Sequence, residues 1–146
     1  MVSLDFILGG HAIFTIEPAA EYVQKHECRK HYGYKIQRSK RGGKETWFIN
    51  LLVGRSYCYW EYIGILDRES GNVILTKKSK RKYDSIDIVI LRRVLKAYWE
   101  GRQDQIEAAG WGVYHKGQCG RCGRELTVPE SIKSGFGPEC IKYVGS

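Results

Sequence analysis

Apolar and polar residues alternate with a period of two through much of the first half of the chain, which predicts β-strands. His11–Glu17 reads as a short strand that Pro18 ends. Tyr32–Arg38 sets Tyr32, Tyr34 and Ile36 on one side and Lys35 and Gln37 on the other, a half-buried strand with a basic outer face. Gly42-Gly43 is a hairpin signal. Beyond it, Glu45–Val53 reads as a more buried strand and Tyr57–Leu66 as an aromatic one. Gly71-Asn72 turns the chain into a short strand over Val73–Thr76. Residues 19–30 are mixed and charged and predict a loop or a single helical turn. Successive strands joined by tight turns predict an antiparallel meander.

The period then lengthens. Asp84 or Ser85 is a helix cap, and Ile86, Ile90, Leu91, Val94, Leu95 and Tyr98 make an apolar stripe that runs to about Glu100 and belongs on the sheet. Gln103–Ala109 predicts a second helical piece. Thr127-Val-Pro-Glu130 has the form of a capping box for a helix over about Val128–Ser134, with Gly135 as its stop. The expected fold is α+β: an antiparallel sheet of about five strands, one main packed helix and a C-terminal zinc knuckle. Residues 1–110 are expected to form the sheet-and-helix domain. Residues 111–146, too few to build a core unaided, are expected to form the zinc-binding domain.

The metal expectation comes from His115, Cys119, Cys122 and Cys140, spaced His-x3-Cys-x2-Cys-x17-Cys. Three sulfurs and one imidazole close a tetrahedral Zn²⁺ site. His115 is the first choice for the nitrogen ligand, with His11, His26, His31 or an outside group as alternatives. A redox Cys-x2-Cys would need a strand–helix setting, and the glycines here do not supply one. A catalytic zinc would need a general base beside it, and Glu125, Glu130 and Glu139 form no such pattern. His26-x-Cys28-x2-His31 also has ligand-like spacing but lies in a charged connection without a fourth partner. No catalytic constellation is visible, and the chain reads as non-enzymatic.

Charge adds a partner. The chain of 146 residues carries a formal charge of +8, and its pI is near 9.3. The charge is clumped: residues 25–44 carry eight Lys/Arg, among them Arg38, Lys40, Arg41 and Lys44, and residues 76–82 add Lys77, Lys78, Lys80, Arg81 and Lys82. With Arg121 and Arg124 beside the knuckle, these residues form the expected nucleic-acid footprint. Solvated loops are the plainer reading of the same charges. Tyr57, Tyr59, Trp60 and Tyr62 put rings on both faces of one strand, either to stack on unpaired bases or to make a second core layer. The five cysteines are an odd number, and no signal peptide or apolar span is present. Reduced thiols in the cytoplasm are therefore expected, with no membrane association.

The tail, from Cys119-Gly-Arg-Cys-Gly-Arg-Glu-Leu-Thr-Val-Pro-Glu-Ser-Ile to Gly-Phe-Gly-Pro-Glu-Cys140, resembles a small cysteine-rich domain of unknown function. That domain occurs in uncharacterised bacteriophage and mobile-element proteins. Trp47-Phe48 and Leu75-Thr-Lys-Lys-Ser79 match the same proteins more loosely. The resemblance implies zinc, supports His115, and implies a phage context. It implies no activity. The basic segments make a nucleic-acid-binding accessory protein the leading expectation, and the alternative is a modulator that binds a host protein such as a defence effector or polymerase.

Overall fold

The computed structural model describes residues 1–54 and 59–144. The elements run α1 (Leu4–Ile7), β1 (His11–Glu17), α2 (Ala20–His26), β2 (Tyr32–Arg41), β3 (Lys44–Leu52), β4 (Trp60–Leu66), β5 (Val73–Ile74), α3 (Ile86–Trp99), α4 (Gln103–Ala108), β6 (Gly112–His115) and α5 (Pro129–Ser134). A short 3₁₀ turn spans Cys140–Tyr143. The six strands form one sheet in the order β5-β4-β3-β2-β1-β6, antiparallel throughout. The architecture is the expected α+β meander with one more strand. Tyr57 and Cys58, read as part of the aromatic strand, lie outside the described residues.

Strand register assigns the side chains to faces, because paired residues share one. The first face carries Ala12, Phe14 and Ile16, then Tyr34 and Ile36, then Trp47, Ile49 and Leu51, all buried. Helix α3 lies on this face with Ile88, Ile90, Leu91, Val94, Leu95 and Tyr98 buried. The Tyr34 hydroxyl donates to the carbonyl of Asp87 at 2.6 Å, and the Tyr98 hydroxyl to that of Val2 at 2.6 Å. Helix α1 adds Phe6 and Ile7 to the same core, and Trp47 Nε1 donates to the Leu8 carbonyl. Ile86, expected in the apolar stripe, is exposed, while Asp87 is buried beside Arg81.

The opposite face carries Lys35 and Gln37 on β2, Thr46, Phe48, Asn50 and Leu52 on β3, and Trp60, Tyr62 and Ile65 on β4. These residues are half-buried or exposed. The described contacts that anchor the helices lie on the first face, so this second face is the open side of a two-layer molecule.

The hairpin between β2 and β3 turns on Gly42 and Gly43 alone, with φ of 59° and 78°. Both central residues of so tight a turn need positive φ, which glycine adopts without a Cβ clash.

Residues 111–144 do not stand apart from the rest. Strand β6 pairs with β1 from Phe14↔His115 to Glu17↔Gly112. Trp111, Val113, Cys119, Leu126, Phe136 and Cys140 are buried in the same core cluster as the sheet and α3. The boundary expected at 110/111 therefore falls inside one shared sheet and core.

Candidate metal centre and its basic surroundings

The knuckle is a hairpin built by backbone hydrogen bonds. Leu126 N–H donates to the Gly117 carbonyl at 2.7 Å, Cys119 N–H to Arg124 at 2.8 Å and Gly123 N–H to Cys119 at 2.9 Å. Two further bonds fix it to the rest of the molecule: His11 N–H donates to the Gly120 carbonyl and Gly120 N–H to Gly135, both at 2.8 Å. Gly120 is packed so closely on Phe6 that a Cβ would overlap the ring. Helix α5 ends at Gly135, in the left-handed conformation with φ of 80°. Its start differs from expectation, because Val128 occupies the N-cap and no side chain caps the helix. Pro129 at its start has no N–H to satisfy.

The sulfurs of Cys119, Cys122 and Cys140 lie within 4.8 Å of one another, close enough to hold one metal ion. Cys119 and Cys140 are buried and Cys122 is exposed. Burial alone pushes the Cys119 thiol up, but N–H groups of Cys122, Gly137 and Arg121 aimed at its sulfur outweigh that and bring it down to about 7. Two of these, from Arg121 and Gly137, lie 3.4 Å from Sγ. Burial raises the Cys140 thiol, opposed by the Arg121 guanidinium, whose Nη1 is 3.7 Å from its sulfur. Amides turned toward sulfur stabilise thiolate, the form that binds metal.

The structure does not bring His115 to these sulfurs. Its Nδ1 accepts from Gly117 N–H at 2.9 Å, and its Nε2 meets the Ile132 carbonyl. The ring is packed at 5.8 Å from Phe6. Both nitrogens are thus engaged on the covered face of the sheet, where the direction of β6 points the side chain. The imidazole that does reach the knuckle is His11, whose ring lies directly over Gly123. His26 instead lies against Tyr22 at 4.1 Å, and His31 pairs with Glu17 at 3.3 Å.

The basic residues are spread over several places. Arg38 and Lys40 from the hairpin meet Arg121 from the knuckle in one groove of about 490 Å³. Arg68, which sequence reasoning missed, lines the same groove, its guanidinium 5.6 Å from the Trp47 ring. Lys40 is paired with Glu45 at 3.2 Å, and Arg121 lies over Tyr143 at 4.4 Å. Arg41 and Lys44 sit at the hairpin tip, on the open side of the sheet by register. The segment of Lys77, Lys78, Lys80 and Lys82 follows β5 along the outer edge of β4, where Lys80 N–H donates to the Tyr62 carbonyl. Arg81 in that segment is turned inward, 3.3 Å from Glu61 and 3.6 Å from Asp87, and serves the helix–sheet junction rather than a surface. Arg124 is exposed on the knuckle.

No helix among the described residues is long and apolar enough to cross a membrane. No curated protein and no solved structure matches the chain. Residues 112–145, from β6 through the knuckle and the 3₁₀ turn, match a family of unknown function (DUF6011). The matched span takes in Cys119, Cys122 and Cys140.

Proposed function

We propose that the protein is a zinc-stabilised, non-enzymatic nucleic-acid-binding protein. The supporting observation is the groove in which Arg38, Lys40, Arg68 and Arg121 converge from the hairpin, the turn after β4 and the knuckle. Asp5 and Glu45 are the acids along it, and Glu45 is already paired with Lys40. Three thiolates favour a soft or borderline ion, and zinc suits a site whose role is to hold a fold. The metal would also fix Arg121, which follows Cys119 closely and reaches back to the Cys140 sulfur. The resemblance of the tail to phage and mobile-element proteins makes an accessory role in such an element the natural setting.

Arginines in the groove would contact phosphates, so affinity should fall steeply with salt. Titration of the zinc-loaded protein into labelled nucleic acid, by fluorescence anisotropy across a salt series, tests this. Arg38→Ala and Arg121→Ala should each weaken binding and reduce the log–log salt slope by about 1. Affinity that stays flat with salt, or is untouched by both substitutions, would count against the reading.

A further inference from the structure

We infer that the open face of the sheet is a platform for single-stranded nucleic acid, on which unpaired bases stack against Phe48, Trp60 and Tyr62. This rests on the nucleic-acid reading above and adds the class of ligand and a second contact surface. Three observations carry it.

The first is charge. On β2 the residues of this face are Gly33, Lys35, Gln37, Ser39 and Arg41; on β3 they are Lys44, Thr46, Phe48, Asn50 and Leu52; on β4 they are Trp60, Tyr62 and Ile65. None of them is a carboxylate, whereas Lys35, Arg41 and Lys44 are cations. The acids of the same strands, Glu45 and Glu61, point to the other side, where they pair with Lys40 and Arg81. On β1 the same face carries one carboxylate, Glu17, which is paired with His31 at 3.3 Å, so the part formed by β2, β3 and β4 is positive and complements a polyanion.

The second is the rings. Phe48 and Tyr62 are diagonal neighbours, 6.2 Å between centroids, and Trp60 follows two residues along β4. Lys35 reaches across from β2 to lie 4.9 Å from the Trp60 ring. Rings of this kind take any base by its flat face, with a cation alongside for the backbone. The bases of a duplex keep those faces inside the stack, so rings on an open face favour an unpaired strand.

The third is that the face is not a core. Lys35, Gln37, Thr46 and Asn50 are interleaved with the rings, and an apolar layer laid over them would strand their polar groups. Apolar residues next to it remain open to solvent: Ile74, which pairs with Ile65, is 47% exposed, and Tyr114, beyond β1, is 48% exposed. The segment carrying Lys77 and Lys78 begins at Thr76, whose hydroxyl meets that of Tyr62 at 3.1 Å, so it borders this face rather than the groove.

The test compares a labelled thymidine or uridine oligomer about a dozen nucleotides long with a duplex of equal length, using the intact zinc-loaded protein at fixed salt. The single strand should bind at least about tenfold more tightly, and Trp60→Ala and Phe48→Ala should each weaken it by about tenfold. Because those rings also pack, Gln37→Glu provides a second variant. It places a carboxylate on an exposed position of the face and should weaken single-strand binding several-fold with an unchanged melting temperature. Equal or tighter binding of the duplex, or wild-type affinity in Gln37→Glu and both ring variants while the groove variants lose affinity, overturns the platform and leaves the nucleic-acid reading standing. Loss of neither strand nor duplex binding at raised salt, or no binding of either at low salt, overturns both.

Discussion

Single side chains in this molecule carry more than their sequence positions suggest. Tyr34 is fully buried at the junction of β2 and α3, and burial, with the charge of Asp87 adding to it, raises its hydroxyl well above the usual tyrosine value. The unfolded chain ionises this group near pH 10, and the folded chain does not. Its contribution to stability is thus complete below about pH 10 and is lost as pH rises further, by about 1.4 kcal/mol for each pH unit until the folded value is reached. Urea unfolding from neutral to strongly alkaline pH should show that decline. Tyr34→Phe, which loses the bond to Asp87, should cost about 1 kcal/mol at neutral pH and flatten the alkaline fall. At the same scale, the three cysteines could be picked out from spacing alone, but the imidazole could not. His115 has the right sequence distance, but in the fold its ring nitrogens meet Gly117 and Ile132. His11 reaches the knuckle through a backbone bond to Gly120, from a strand more than a hundred positions away. Arg68 was missed for the same reason: only the fold brings the turn after β4 beside Arg38 and Arg121.

Elements were legible where their pattern ran long enough. The alternation in β2 and β3 and the stripe of α3 gave their positions to within a few residues, and the glycine pair placed the hairpin. Helix α1, with four residues, and strand β6, also with four, have too few positions to show a period. Helix α2 buries none of its residues and so carries no stripe. Caps followed tertiary context rather than motif. The capping-box form before α5 is not realised, and Ser85 accepts from Lys82 N–H at 3.0 Å rather than from its own helix. Ser3, by contrast, accepts from Phe6 N–H at 3.1 Å and caps α1. Ser3→Ala should therefore cost about 1 kcal/mol in thermal or urea unfolding. Thr127→Ala should cost no more than a few tenths, and a loss near 1 kcal/mol there would mean that Thr127 caps α5 after all.

For the whole molecule, the shared core ties the cysteine cluster to global stability. Cys119 and Cys140 lie in the same apolar cluster as Phe6, Phe14 and α3, and Phe136 meets Phe6 edge-on at 6.0 Å. If the cluster holds zinc as proposed, a chelator should lower the melting temperature by about 10 °C, equivalent to several kcal/mol at about 2–4 °C per kcal/mol. The transition should remain single in calorimetry. Two separated transitions, with the first confined to the tail, would show that the knuckle folds independently of the sheet.

The pairing of β6 with β1 also orders events in time. A chain leaving the ribosome completes β1 at Glu17 and can add β2, β3 and β4 by short local turns. The outer edge of β1 has no partner until Gly112–His115 is made, so its backbone groups stay available to other chains throughout that interval. Closing this edge is a long-range step that local hairpins cannot hasten. During synthesis, then, this nascent protein is most exposed to mispairing along its first strand, and the same tail that gathers the sulfurs brings that exposure to an end.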